Sequence, residues 1–444
     1  MCCAAHTAAS PLRSYSPRWR HGKIGAAIRL GSMAAAADRK GSRDAERDDA
    51  ADASRFFSRI GYLVLAVGAP VGVVLHPLGL YVMFSIGVGL LLIAAALDAE
   101  PGFLERLRRP FYVPAFLALL AGLAWAALSI LWTPYPVAAA QLLLKLAVLL
   151  VATMLAVAAP RENAAATDLY LFPIGVMAGI AAMIARALGE TLTGAPDDGR
   201  LTAGAVAIAV LLFPAIGGLV ARGRNGRARL LLIVALCFAY IASYAPLTIA
   251  LFAGYLALSF SISDLSRTAR ELSWVAAALI LLSPLIPALA PTVAAWIFHT
   301  RLASLPAPYP SLSVAADIFT HDKLRLITGH GFATVGHGVQ DRILPAQTPR
   351  ALAFTIWYEL GIVGAMLAAV GAWLAFRSIV HAPARLAPYM AAAFSAVVAL
   401  AFLNVDFDEM TPLTLIAIAI ISTDVAARSQ YRTRRPSAAR LANL

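Results

Sequence analysis

Nine arginine, lysine and histidine side chains crowd one short stretch of this chain. Between residues 298 and 351 lie His299, Arg301, His321, Lys323, Arg325, His330, His337, Arg342 and Arg350. Four of the eight histidines of the protein fall there. Arginine offers planar, paired donors to phosphate oxygens, and imidazole exchanges a proton near neutral pH. A cationic cavity of this kind suits an anionic, lipid-linked ligand such as a pyrophosphate. The same composition also fits a solvated loop whose basic residues meet anionic head groups, and the residues alone leave both readings open.

Gly329-His330-Gly331-Phe332 places a histidine between two glycines. Glycine there permits a positive φ and a close approach of backbone to a ligand, or simply a turn. His337 follows seven residues later, again before a glycine. His321, His330 and His337 have no recognised metal-ligand spacing, so no metal is expected even with Asp317 and Asp322 nearby. The chain has no phosphate-binding P-loop, no HExxH and no nucleophile elbow. Three further charges fall inside apolar runs: Lys145, Arg186 and Glu359. Charges at that depth face a cavity or a partner. Lys145 and Glu359 are expected to make polar contacts inside the bundle, and Arg186 to snorkel to an interface.

The elements that must hold these residues are set by composition. Of 444 residues, 60% are hydrophobic and 14% charged, with a mean hydropathy of +0.76. Soluble chains carry about 25% charged residues, so an ordinary soluble enzyme is excluded, and so is disorder. The net charge is +12, spread over short loops. That pattern fits membrane topology and not a nucleic-acid footprint. Cys2, Cys3 and Cys237 form no disulfide framework. Membrane helices need about 20 apolar residues each. Twelve spans are predicted, at 60–76, 78–97, 111–132, 137–159, 169–189, 201–221, 230–245, 246–262, 274–297, 352–376, 387–404 and 411–427. The fold class is therefore all-α and polytopic.

Residues 1–58 read as a basic and polar tail without a signal-peptide core. Residues 1–32 are also compatible with an amphipathic transit peptide, and Met33 is an alternative start. Residues 59–427 form the membrane domain, and 428–444 a basic tail. Arginines concentrate in alternate loops, which puts both termini in the cytoplasm and the stretch 298–351 outside. A loop of 54 residues among connections of about ten is a functional candidate.

Three segments resemble one family. They are Ala124-Trp125-Ala126-Ala127-Leu128-Ser129-Ile130-Leu131-Trp132-Thr133-Pro134, Leu326-Ile327-Thr328-Gly329-His330-Gly331-Phe332-Ala333-Thr334, and Ile356-Trp357-Tyr358-Glu359-Leu360-Gly361-Ile362-Val363-Gly364. In order and spacing they are similar to the O-antigen ligase and polysaccharide polymerase group of bacterial inner-membrane glycosyltransferases. The resemblance covers roughly 60–427 and is densest at 230–376. It implies a GT-C-like bundle with one long periplasmic loop, in the bacterial inner membrane. It implies transfer of a glycan from undecaprenyl diphosphate to an acceptor sugar of a cell-surface polysaccharide. No nucleotide, metal or other cofactor belongs to that pattern. Partners would be the lipid-linked glycan and membrane lipids, with no nucleic acid; the oligomeric state is left open.

The chain also departs from the family. Members carry a loop histidine, commonly as H-P-H-N or H-N, regarded as catalytic. Here the stretch reads Thr348-Pro349-Arg350-Ala351, and a guanidinium does not act as a base. The resemblance then implies a diphosphate clamp of Arg200, Arg301, Arg325 and Arg350. His330 or His337 would be the substitute base, with Glu359 beside them. A non-catalytic carrier-binding subunit of polysaccharide export is the second expectation, and a secondary transporter the third.

Overall fold

The computed structural model describes residues 50–76, 78–98, 103–159, 170–193, 199–242, 244–298, 309–321, 325–403 and 410–429. These residues are helices and their connections, with no strand among them. The main compact unit runs from Ser54 to Leu444; of the preceding unit, Met1–Ala53, only 50–53 are described.

In chain order the elements are α1 (Ala50–Leu75), α2 (Gly79–Asp98), α3 (Phe103–Arg108), α4 (Pro114–Ser129), α5 (Pro136–Ala158) and α6 (Leu171–Thr193). Next come α7 (Arg200–Ala221), α8 (Asn225–Ala242), α9 (Ala245–Ser263), α10 (Leu265–Leu282) and α11 (Leu285–Phe298). The stretch read as a loop contributes α12 (Tyr309–His321), α13 (Arg325–Thr328) and α14 (Thr334–Gln340). Then follow α15 (Leu352–Ser378), α16 (Ala387–Ala401) and α17 (Met410–Ser429). Among the described residues nine helices are long and apolar enough to cross a membrane. A bent pair, Glu105–Tyr112 with Pro114–Ser129, makes a tenth if counted as one span. The protein is thus helical and of multi-pass membrane type.

Several sequence expectations change here for physical reasons. The predicted span 111–132 begins with a bend of 81° ahead of Pro114. The predicted span 274–297 is two helices, α10 and α11, parted at Ser283-Pro284. Proline lacks the N–H and clashes with the preceding turn. Helix α10 also begins nine residues before the apolar run, at an N-cap where Asp264 accepts from the Arg267 N–H (3.1 Å). Helix α1 starts at Ala50, inside the segment read as tail. Its first turns are held to α2 by the Ser54 hydroxyl, which donates to the Ala94 carbonyl (2.8 Å).

The core is centred on α7. Nearly all of its side chains from Gly204 to Leu219 are buried. A helix apolar on every side belongs inside a bundle. Around it pack α1, α6, α8, α9, α16 and α17. A second packing unit joins α4, α10, α13 and α14 to α15, and the candidate site lies there.

Candidate functional site

Helix α15 is broken at Gly361, whose φ of 64° and ψ of −160° are not helical. A break frees main-chain carbonyls, and freed carbonyls in an apolar setting need partners. They come from two other segments. The His330 N–H donates to the Tyr358 carbonyl (2.9 Å) and the Gly331 N–H to the Glu359 carbonyl (3.0 Å). The Trp125 indole N–H of α4 donates to the Leu360 carbonyl (2.9 Å). The loop after α13 therefore plugs into the break. The approach is close enough to require glycine: a Cβ on Gly361 would stand 2.5 Å from the Ile327 carbonyl oxygen. One on Gly331, at φ 99°, would stand 2.5 Å from the Thr133 Cα.

Glu359 ties the loop a second time. Its side chain is 2% exposed. Oε2 accepts from the Ala333 N–H and Oε1 from the Val335 N–H, each at 2.9 Å. Ala333 is the N-cap of α14, with a positive φ of 62° and no side-chain oxygen to serve the first turn. Glu359 supplies from another helix the acceptor that an N-cap side chain would normally give. The end of α4 adds a third tie. The Phe332 N–H donates to the Ser129 hydroxyl (3.2 Å), and the Thr133 hydroxyl donates to the Phe332 carbonyl (2.9 Å). The three segments singled out in the sequence thus meet in one hydrogen-bonded cluster.

The histidines sit on this cluster. The His330 ring stacks on Tyr358, with centroids 4.0 Å apart and planes 5° from parallel, and its Nδ1 is 3.1 Å from the Tyr358 carbonyl. The His337 Nδ1 is 3.1 Å from the Ala333 carbonyl, and its ring lies 5.2 Å from that of Tyr135. A carbonyl only accepts, so in the neutral ring each Nδ1 carries the proton and each Nε2 the lone pair. Beside them the Tyr135 hydroxyl donates to Asp341 (2.8 Å). That bond, followed by slight burial and the Asp341 charge, holds the phenol proton above its ordinary range.

Behind the cluster is an apolar cavity of about 190 Å³. Among the described residues its charged lining is Arg350 and Glu359; Phe332, Leu142, Leu352 and Leu413 are among its apolar walls. Arg350 is exposed, and its segment runs extended into α15. Alternation along that segment sends Pro349 and Ala351 to a second apolar cleft, of about 550 Å³.

The structure therefore puts Arg350 and Glu359 on one cavity, while His330 and His337 sit on the loop that Glu359 holds and neither is in that lining. Arg325 is exposed at the start of α13. Arg200 is elsewhere, with Nη1 donating to the Leu75 carbonyl at the end of α1 (3.0 Å). Arg301 lies outside the described residues, as do His299, Asp322 and Lys323, so the expected pairing of Arg200 with Arg301 falls outside them too. Lys145 is exposed on α5 and makes no contact inside the bundle, a correction to the sequence expectation. Arg186 pairs with Glu190 one turn on (2.7 Å). Among the described residues no group of three or more His, Cys, Asp or Glu could hold a metal ion.

Sequence reasoning gave Trp125, Ser129 and Thr133 no role. Their spacing of four was the available signal, because it sets all three on one face of α4 and its extension. No family model, curated protein or solved structure matches this chain.

Proposed function

We propose that this protein transfers a glycan from a polyprenyl-diphosphate carrier, of the undecaprenyl type, to an acceptor sugar at the outer face of a bacterial inner membrane. The proposed topology has twelve spans, both termini in the cytoplasm and residues 298–351 outside. The observation that carries the reading is the apolar cavity with Arg350 on its lining, beside the cluster of the three resembling segments. A polyprenyl chain needs apolar walls at membrane depth, and a diphosphate needs a bidentate cation at their edge.

In the proposed reaction the acceptor hydroxyl oxygen attacks the anomeric carbon. The bond from that carbon to the diphosphate oxygen breaks, and the electron pair leaves with the diphosphate. Arg350 stabilises the charge that develops there. The hydroxyl proton passes to an imidazole Nε2, of His330 or His337. Glu359 is a positioning residue, since both of its oxygens hold the loop bearing these histidines.

A second reading, a non-catalytic carrier-binding subunit, is favoured by one observation: neither histidine lines the cavity that Arg350 shares. Complementation of a deletion strain, read by glycan profiles at matched membrane levels, separates the two. The transferase reading expects Arg350→Ala and one of His330→Ala or His337→Ala to lose the product while carrier-linked glycan accumulates. Full complementation by Arg350→Ala removes the clamp. Loss with Arg350→Ala but full activity in both histidine variants and their double supports the carrier-binding reading.

A further inference from the structure

At the other end of α16 lies a cavity the proposed reaction does not use. It measures about 610 Å³ and shares no lining residue with the Arg350 cavity. Five segments converge on it: the end of α7, the start of α8, the end of α9, the start of α10 and residues 384–389 leading into α16. Each lies next to one of the arginine-bearing connections 222–229, 264–270 and 377–385.

Its lining is divided by chemistry. Six aliphatic side chains, among them Ile216 and Leu258, form the greater part of the wall. Arg229 and Arg385 come from two different elements, one from α8 and one from the segment before α16, and both are exposed. Asn225 and Tyr389 add a side-chain amide and a phenol. Ser261 is 2% exposed, lines the cavity, and has a buried hydroxyl with no hydrogen-bond partner among the described residues. Buried hydroxyls are bonded in the great majority of cases, so an orphan on a cavity wall points to a missing polar occupant.

We infer that this cavity binds the phosphate of an anionic phospholipid, with its glycerol and first acyl carbons against the aliphatic wall. Two guanidinium groups from different elements match the oxygens of one phosphate. Basic pockets between membrane helices on the arginine-rich side take such head groups. The volume lies within the range of about 300–1,000 Å³ usual for small-molecule sites. A free phosphate ion has the same oxygens but leaves the aliphatic wall bare. The inference does not rest on the proposed transferase activity.

The test is native mass spectrometry of the full chain in detergent, with three probes: phosphatidylglycerol, phosphatidylcholine and inorganic phosphate. Variants are Arg229→Ala with Arg385→Ala, and a control, Arg222→Ala with Arg224→Ala, on the same connection but outside the lining. Unchanged size-exclusion profiles establish that each variant is folded; all four positions are at the surface or half-buried, so folding should survive. Phosphatidylglycerol should be retained over phosphatidylcholine, and the Arg229/Arg385 variant should lose at least about fivefold of that retention. The control should keep it. Equal retention of the two lipids, or equal loss in the control, overturns the inference. Displacement of phosphatidylglycerol by millimolar inorganic phosphate would mark a free-anion site and overturn it as well.

Discussion

Glu359 and Arg350 line one cavity but answer to different forces. Glu359 is buried and accepts two main-chain N–H groups. Replacing it with Gln keeps the shape but turns one acceptor into a donor, which faces an N–H. One amide is left without a partner, at a cost of about 1–3 kcal/mol. Thermal unfolding in detergent should show that loss for Glu359→Gln and a larger one for Glu359→Ala, which orphans both amides. Arg350 is exposed, so Arg350→Lys should change stability by no more than about 0.5 kcal/mol. Under the proposed function it should still lower glycan transfer substantially, because an ammonium cannot reproduce a bidentate fork. Equal stability losses in Glu359→Gln and Arg350→Lys would contradict this division. The sequence pointed to Glu359 because a carboxylate inside an apolar run is costly. It could not reveal that its partners are backbone amides 24 and 26 residues upstream, since main-chain donors carry no residue signature. Arg350 was legible as one of the cations of the 298–351 stretch and as a departure from the pattern of the family that the sequence resembles.

At the scale of elements, the break in α15 organises the site. Gly361 occupies a backbone region open essentially to glycine alone. Gly361→Ala should therefore cost more than about 1 kcal/mol. It should also push Ile327 and the following loop out of the break, since the new Cβ would meet the Ile327 carbonyl at 2.5 Å. Limited proteolysis reads this directly: cleavage after Arg342 should be faster in the variant, and an unchanged rate would show that the plug does not depend on Gly361. Helix α10 offers a pH-dependent element outside the site. The Asp264 carboxyl lies below the ordinary carboxylate range, mainly because it accepts from the Arg267 N–H, then from Ser266. A depressed value means that its stabilisation is complete above the ordinary carboxylate range and lost as pH falls through the folded value. Asn caps a helix without titrating. The melting difference between wild type and Asp264→Asn should thus be constant at neutral pH and shift against the wild type in acid; a constant difference throughout would refute it. Helix existence was legible from apolar runs for the long helices, but not for α12, α13 and α14 in the stretch read as a loop. The breaks were less so: Pro284 was visible but overruled by the hydropathy around it, and Gly361 looked like any glycine in a span.

For the whole molecule, hydropathy and charge specify a multi-pass helical protein but not which helix is central. The burial of α7 follows from its lack of any polar face, which its sequence does display between Gly204 and Leu219. The pairing of α4 with α15 has no such signal in composition, because both are lipid-like; Trp125 reaches the Leu360 carbonyl of α15, while Ser129 and Thr133 hold Phe332 of the loop between them. Orientation is the one global property that charge alone predicts. Arginine recurs in the connections 222–229, 264–270 and 377–385, and the short connections Thr133–Pro136 and Val405–Met410 carry no Lys or Arg. Cytoplasmic loops retain such cations, whereas long segments cross regardless of charge, so the proposed topology puts 298–351 outside. Two reporters test this in a background with Cys2, Cys3 and Cys237 replaced, since Cys237 is exposed. Gln347 is exposed beside the site, and Gly226 is exposed at the start of α8. Gln347→Cys should react with a membrane-impermeant maleimide in spheroplasts, and Gly226→Cys only after permeabilisation. The reverse pattern would invert the topology and place the Arg350 cavity at the cytoplasmic face, where the proposed acceptor is absent. Labelling of both without permeabilisation would break the odd number of crossings that the arginine pattern requires between them.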